Sequence, residues 1–297
     1  MSVFIDEHRD TFGVEPICRV LQFAPSTYYA VLKRRREPAA RTLSDAAALV
    51  EIERVYAASN KLYGARKVWW QLAREGILLA RCTVERLMRQ NGLRGVVRGK
   101  RLRTTIPGDE ADRPVDLVER NFAAAGPNVL WVADFTYVMT FSGTVYVAFI
   151  IDVFSRRIVG WKADISMKTA LVLDTLEMAL WVRDRDGLPV APGLIHHHDN
   201  GSQYVSFAFT QRLIDEGVDA SVGSVGDGYD NAVAESTIGL FKAEKIKPEG
   251  PWRTMAEVEL ATLEWVDWYN HERLHSACDR RPPVEYETLH QERLLNH

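Results

Sequence analysis

Three apolar segments rich in β-branched and aromatic residues, 129–139, 144–153 and 156–165, follow one another almost without interruption. Only Phe141-Ser142-Gly143 and Phe154-Ser155-Arg156 separate them. Breaks that short cannot hold a crossover helix, so the segments must pair as antiparallel hairpins. Downstream the pattern alternates. A helical stretch at 168–182 carries Leu171, Leu173, Leu176, Ala179 and Leu180, and a short strand follows at 193–198. Then come a helix at 205–216, a last strand at 218–222 and two long helices at 230–245 and 254–271. A meander extended through helices gives an α/β protein whose sheet has mixed strand direction and flanking helices.

The chain before this region reads differently. Val14, Ile17, Val20 and Leu21 have helical spacing. Ala24-Pro25-Ser26 breaks it, and Ser26 is expected to cap a second helix that runs into Lys33-Arg34-Arg35-Arg36. Residues 45–92 repeat the theme. A helix through Ala46, Leu49, Val50 and Val55 leads to a turn at Tyr63-Gly64 and a stripe of Val68, Leu72 and Ala73 closed by Gly76. Thr83 is expected to cap a final helix with Val84, Leu87 and Met88 inward, Arg81, Arg86 and Arg89 outward, and Gly92 at its end. A short helix, a tight turn and a basic second helix describe a DNA-reading module.

Charge divides the chain the same way. Of 37 Lys and Arg and 40 Asp and Glu, residues 1–105 hold 20 and 10, and the remainder holds 17 and 30. A basic half suits a polyanion such as DNA, whereas an acidic half repels DNA unless cations sit in it. The expected organisation is a helix-turn-helix-like segment at 1–40 and a helical DNA-binding domain at 41–93. A basic linker at 94–127, with Lys100 and Arg101 as DNA contacts, precedes the α/β core at 128–285 and a tail at 286–297.

The three cysteines, Cys18, Cys82 and Cys278, are scattered and form no CxxC pair, which fits a reducing cytoplasm near the nucleoid rather than a disulfide scaffold. Acidic and basic residues at positions 6–10 exclude a signal peptide, and the longest apolar run, 145–151, is far too short to span a bilayer.

Three carboxylates are candidates for chemistry, although each taken alone also has an ordinary reading, as an outward-facing strand residue, a turn residue and a solvated helix residue. Asp134 interrupts the apolar run Trp131-Val132-Ala133-Asp134-Phe135-Thr136-Tyr137. A buried carboxylate is costly without a partner, although an outward-facing residue on a half-exposed strand would also fit. Asp199 lies at the polar tip that follows Leu194-Ile195 and three histidines, and ligands in α/β sheets bind beyond such strand ends. The adjacent histidines invite a zinc reading, but consecutive side chains converge poorly on one ion. Glu235 projects from the second turn of a helix that Asp230 is expected to cap, and Lys242 lies two turns further along the same face.

Taken together, Asp134, Asp199 and Glu235, with 35 residues between the last two, resemble the signature of transposases with a retroviral-integrase-like, ribonuclease-H-type core. More closely, the sequence resembles the OrfB product of insertion-sequence family three. The resemblance rests on 131–137, on His197-x-Asp199-x-Gly201-Ser202-Gln203-Tyr204 and on Tyr229-Asp230-Asn231-Ala232 through Glu235-Ser236. Leu240-Phe241-Lys242 and Tyr269-Asn270 with Arg273 and His275 extend it, and Tyr63-Gly64 and 84–93 resemble that group's helical domain. His198, where the group has a small hydroxyl residue, and Arg280-Arg281-Pro282-Pro283 depart from it.

The resemblance implies a five-stranded ribonuclease-H-like sheet and a DNA-cutting and DNA-joining enzyme that oligomerises on element ends and target duplex. It also implies a partner or fusion supplied by an upstream OrfA frame. The carboxylates would hold two Mg²⁺ ions, with Mn²⁺ as a substitute. Asp134 would bridge them, Asp199 and Glu235 would each hold one, and Lys242 would touch a phosphate near the element end. Two other readings fit less of the chain: a metal-dependent nuclease for RNA–DNA hybrids on the same core, and a non-catalytic DNA-binding regulator.

Overall fold

The computed structural model describes residues 1–97, 118, 123–198, 203–204, 206–222 and 231–296. Within it the chain forms two compact units, Met1–Gly95 and Val96–His297.

The first unit is helical. Helices α1 (Ser2–Phe12), α2 (Val14–Val20) and α3 (Pro25–Arg36) bury Ile5, Ile17, Cys18 and Tyr28 between them, with Val14, Leu21, Phe23 and Leu32 packed around these. The Tyr28 hydroxyl donates to Asp6 at 2.7 Å, and Arg35 donates to the same carboxylate. The expected Ser26 cap is not made. Pro25 takes the first helical position after Ala24, where its fixed φ and missing N–H suit a helix start.

Helices α4 (Ala40–Ala58), α5 (Ala65–Arg74) and α6 (Arg81–Gln90) form a second cluster through Ile52, Val55, Val68, Leu72, Val84, Leu87 and Met88, all buried. The cap of α6 falls at Ala80 rather than Thr83, which sits inside the first turn. The unit closes at Gly95. A Cβ there would lie 2.3 Å from the Gly64 backbone nitrogen, so only glycine lets the chain lie against the turn before α5. Tyr56 secures this return by donating to the Arg94 carbonyl at 2.8 Å. Residues 94 and 95, expected to begin a linker, therefore belong to the helical unit. Lys100 and Arg101 lie outside the described residues.

The second unit is built on a five-stranded sheet of order β3-β2-β1-β4-β5. Strands β1 (Leu130–Thr140), β2 (Gly143–Asp152) and β3 (Ile158–Asp164) form the antiparallel meander. Strands β4 (Ile195–His198) and β5 (Asp219–Val222) add in parallel beyond β1. This is the ribonuclease-H-like arrangement, with β1 at its centre.

Pleat alternation assigns the faces. Trp131, Ala133, Ile150, Val159 and Leu194 meet Val172, Leu176 and Ala179 of α7 (Thr169–Arg185) and Phe209 and Leu213 of α8 (Phe207–Asp215). At Gly160 a Cβ would approach the Thr175 carbonyl to 2.3 Å, so glycine sets how closely α7 lies on the sheet. The opposite face carries α9 (Ala232–Phe241) and α11 (Met255–His271). Phe149 meets the rings of Phe241 at 5.2 Å and Trp265 at 6.3 Å. Helix α11 begins with a capping bond, the Glu257 N–H donating to the Thr254 hydroxyl.

Residues 286–297, expected as a tail, fall almost entirely within α12 (Pro283–Leu295), which follows the short α10 (Lys247–Glu249) and α11. The helix is fastened by Glu287, a buried carboxylate that accepts from Ser155 at 2.6 Å and from Arg157 and Arg183 at 2.8 Å. Arg183 also donates to Asp152 at 2.8 Å. A charge buried this deeply persists only when paired and hydrogen-bonded, which this network achieves. A single glutamate in an otherwise polar sequence gives no periodic signal, so the anchor is invisible without its partners.

Candidate active site

Asp134 sits where β1 loses a neighbour. The parallel pairing with β4 ends at Ala133↔His198, so Asp134 is the first β1 residue beyond that pairing, while β2 continues alongside it at Phe149. Asp134 thus lies at the carboxyl end of two parallel strands, where α/β sheets bind ligands. Asp134 is half-buried, faces the α9 and α11 side with Phe149, and accepts a hydrogen bond from the Phe135 N–H at 2.8 Å. Asp199 follows His198 in the chain and lies outside the described residues.

Glu235 is brought to the same edge by a residue that sequence reasoning passed over. Asn231, not Asp230, is the N-cap of α9, and Asp230 lies outside the described residues. The buried Asn231 side-chain amide donates to the Ala133 carbonyl at 2.8 Å. The Asn231 carbonyl in turn accepts the first helical bond from the Glu235 N–H at 3.0 Å. Two hydrogen bonds in series therefore connect the neighbour of Asp134 to the backbone of Glu235. The signal was present, since Asn231 stands in the quoted Tyr229–Ala232 segment, but asparagine at a helix start normally reads as an ordinary cap.

Lys242 opens a π-helical turn, Lys242–Ile246, at the end of α9. Its ammonium lies 5.0 Å from the centre of the Tyr137 ring. Partial burial pushes the Lys242 pKa below the ordinary lysine value, and the negative charge of Asp134 works in the opposite direction. The structure thus brings Asp134, Tyr137 and Lys242 into one electrostatic neighbourhood. The π turn is held by Arg273, whose guanidinium clasps Glu244 with bonds of 2.6 and 3.0 Å. Trp265 adds a longer bond to Glu244 at 3.3 Å. Arg273 is therefore committed to the helix that carries Lys242.

The histidines do not gather on one ion. The His197 ring pairs with the Ser221 hydroxyl at 2.9 Å on one side of β4. His196 and His198 point to the other side, among Tyr204 and Phe209. Among the described residues no three His, Cys, Asp or Glu side chains form a metal-holding group; Asp199 is not among those residues. Asp134 and Glu235 supply hard, half-buried oxygen donors on adjoining elements, a set that suits Mg²⁺ or Mn²⁺ and not a thiophilic metal.

Of the basic residues expected on DNA, Arg89 is exposed on α6, whereas Arg81 pairs with Glu85 at 3.0 Å. Arg86 is half-buried and donates to Asp45 at 2.7 Å, tying α6 to α4 instead of standing outward. No helix among the described residues is long and apolar enough to cross a membrane.

Comparison with known families agrees with this architecture. One integrase core domain model matches residues 124–227 and a second matches 216–283, while an HTH-like domain model matches 43–101. A central-strand aspartate, a glutamate-bearing helix strapped to that strand and an integrase core match define a polynucleotidyl transferase of the integrase class. The chain is 52% identical over 270 residues to a putative transposase for element IS986/IS6110 of Mycobacterium tuberculosis H37Rv, covering 91% of this chain and 96% of that one. It is 53% identical over 290 residues to the IS629 transposase of Shigella sonnei, covering 97% and 95%. To transposase InsF of IS3A from Escherichia coli K12 it is 31% identical over 287 residues, covering 96% and 97%. This chain belongs to the insertion-sequence transposases, with the OrfB-type domain order of insertion-sequence family three.

Proposed function

We propose that this transposase cleaves DNA at the ends of its insertion sequence and joins the freed 3′-OH to a target phosphodiester, using Asp134, Asp199 and Glu235 as its catalytic carboxylates. The observation that carries the reading is the Asn231–Ala133 bond, which fastens the Glu235 helix to β1 beside Asp134. The three carboxylates would hold divalent ions, Mg²⁺ or Mn²⁺. When bound, two such ions supply Lewis-acid stabilisation of the attacking and leaving oxygens of an in-line displacement.

The chain's own residues position and polarise. Asp134 and Glu235 place negative charge that repels a phosphodiester, so bound cations favour entry of the scissile phosphate. Lys242, partly desolvated on the same edge, supplies a fixed positive charge for a phosphate oxygen close to the scissile bond. The helical unit, with Arg89 exposed on α6, reads the duplex, and assembly on paired ends with an OrfA product completes the reading.

The test is incubation with duplexes carrying the element's own ends, followed by mapping of nicks and joints. Asp134→Ala, Asp199→Ala and Glu235→Ala are each expected to abolish cleavage and joining while leaving DNA binding in place. Lys242→Ala is expected to weaken end binding. Metal-dependent cleavage by Asp134→Ala would refute the assignment. A pre-cut end separates transposase from hybrid nuclease, since only the former joins it to a target.

A further inference from the structure

The β1–β2 hairpin extends past the carboxylate edge and carries a stripe that the proposed chemistry does not use. Tyr137, Met139 and Phe141 are 55%, 65% and 76% exposed, while Val138 between the first two is buried and Thr140 is half-buried. Within β1 this alternation puts Tyr137 and Met139 on one side, and Phe141 follows at the turn. Exposed large apolar side chains in a row mark an interaction surface more often than an accident of folding.

The stripe is held rigidly. The Phe141 N–H donates to the Trp252 carbonyl at 3.0 Å and the Ser142 N–H to the Arg253 carbonyl at 3.1 Å. The Thr140 hydroxyl closes the tip by donating to the Gly143 carbonyl at 2.7 Å. At its inner end Tyr137 lies beneath the Lys242 ammonium, on the strand of Asp134. An apolar, partly aromatic surface that begins at a fixed positive charge beside phosphate-handling residues matches a nucleic acid strand, whose charge and flat apolar face alternate in the same way. Successive same-side positions on a strand lie about 6.7 Å apart. That is roughly twice the 3.4 Å step of a stacked duplex strand, so the spacing suits splayed bases and not paired ones.

We propose that Tyr137, Met139 and Phe141 form a stacking platform for unpaired nucleotides adjoining the reacting phosphodiester, with Lys242 holding the phosphate at its inner end. The proposal rests on the transposase reading for the identity of the strand, but its test does not depend on catalysis. The full-length protein is titrated, with metal omitted, against a short duplex bearing an unpaired trinucleotide and against the same duplex with that trinucleotide abasic. The wild-type protein is expected to bind the base-bearing probe at least about fivefold more tightly, the lower end of what base–aromatic stacking supplies. Tyr137→Ala and Phe141→Ala should each erode this preference, Tyr137→Phe should keep it, and Lys242→Ala should weaken both probes equally. Because Tyr137 and Phe141 are exposed, their variants should melt with the wild type, which thermal unfolding verifies. Equal binding of the two probes by the wild type, or a full preference in Tyr137→Ala, overturns the platform. Cleavage and joining are scored separately with metal present. A protein that prefers bases but neither cuts nor joins would overturn the transposase mechanism and leave the platform standing.

Discussion

The Asn231 side chain donates to the Ala133 carbonyl across 98 positions of sequence, and this bond fixes the helix of Glu235 against the strand of Asp134. Because it joins the two carboxylate-bearing elements, its loss should disturb their alignment, at a stability cost of about 1–3 kcal/mol for the buried bond. Asn231→Ala is expected to cut strand cleavage about a hundredfold, the scale of a misplacement near 1 Å. Binding to end DNA should change little. Asn231→Asp, which keeps the shape but loses the donor, should fail similarly. Cleavage rates at saturating metal, with melting temperatures alongside, check this; a variant that cuts at the wild-type rate would show that the strap is not needed.

Arg86 and Arg89 stand one turn apart on α6, and the structure gives them different work. Arg86 spends its charge on Asp45, whereas Arg89 is exposed. If Arg89 neutralises a DNA phosphate, Arg89→Ala should lower the slope of log affinity against log salt by about 1 without altering stability. Arg86→Ala should lower the melting temperature of the helical unit while leaving the salt slope close to that of the wild type. Fluorescence anisotropy across a salt series and thermal unfolding separate the two. Equal salt slopes for Arg89→Ala and the wild type would remove Arg89 from the interface.

Glu287 locks α12 to the sheet. Burial opposes its ionisation, but the hydrogen bonds from Arg183 and the charges of Arg183 and Arg157 outweigh burial and hold its pKa below the ordinary glutamate value. With the folded value below the unfolded one, this contribution is complete above the ordinary carboxylate range. It is lost as pH falls through that range toward the lowered folded value. Glu287→Gln is expected to destabilise the catalytic unit by about 3–5 kcal/mol at neutral pH, because Arg183 and Arg157 lose a buried charge partner. The difference between variant and wild type should shrink on acidification. Urea denaturation at neutral pH and near pH 4 measures both; a variant as stable as the wild type at neutral pH would contradict the anchor.

His196 is fully buried, its two ring nitrogens have no hydrogen-bond partner among the described residues, and burial holds its pKa well below the ordinary histidine value. The unfolded chain therefore binds a proton that the folded chain refuses. Stability should be intact above the ordinary histidine pKa and fall as pH drops below it, by up to about 2 kcal/mol between pH 6.5 and pH 5. His196→Leu removes this proton uptake and also an unsatisfied buried polar ring, so it should raise stability at pH 5 more than at pH 7. Denaturation at the two pH values tests it, and an equal effect at both would locate the acid sensitivity elsewhere.

What the sequence determined by itself was local. The three close-set apolar segments required an antiparallel meander, the helical stripes of Val68–Leu72 and Val84–Met88 required amphipathic helices, and both appear as read. Such patterns are legible because burial on one side of a regular element repeats with that element's own period. The proposed carboxylates were legible for other reasons: Asp134 interrupts an apolar strand and Asp199 follows a strand end, whereas Glu235 stood out only through its spacing from Asp199 and the family resemblance. Tertiary structure decided what depended on partners distant in sequence. It set the Asn231 strap, the commitment of Arg86 to Asp45 and of Arg273 to Glu244, and the conversion of an apparent tail into a helix pinned by Glu287 to Ser155, 132 positions away. A hydrogen bond has no period, and a polar residue that will be buried looks the same in sequence as one that will be solvated, until the fold supplies its partner.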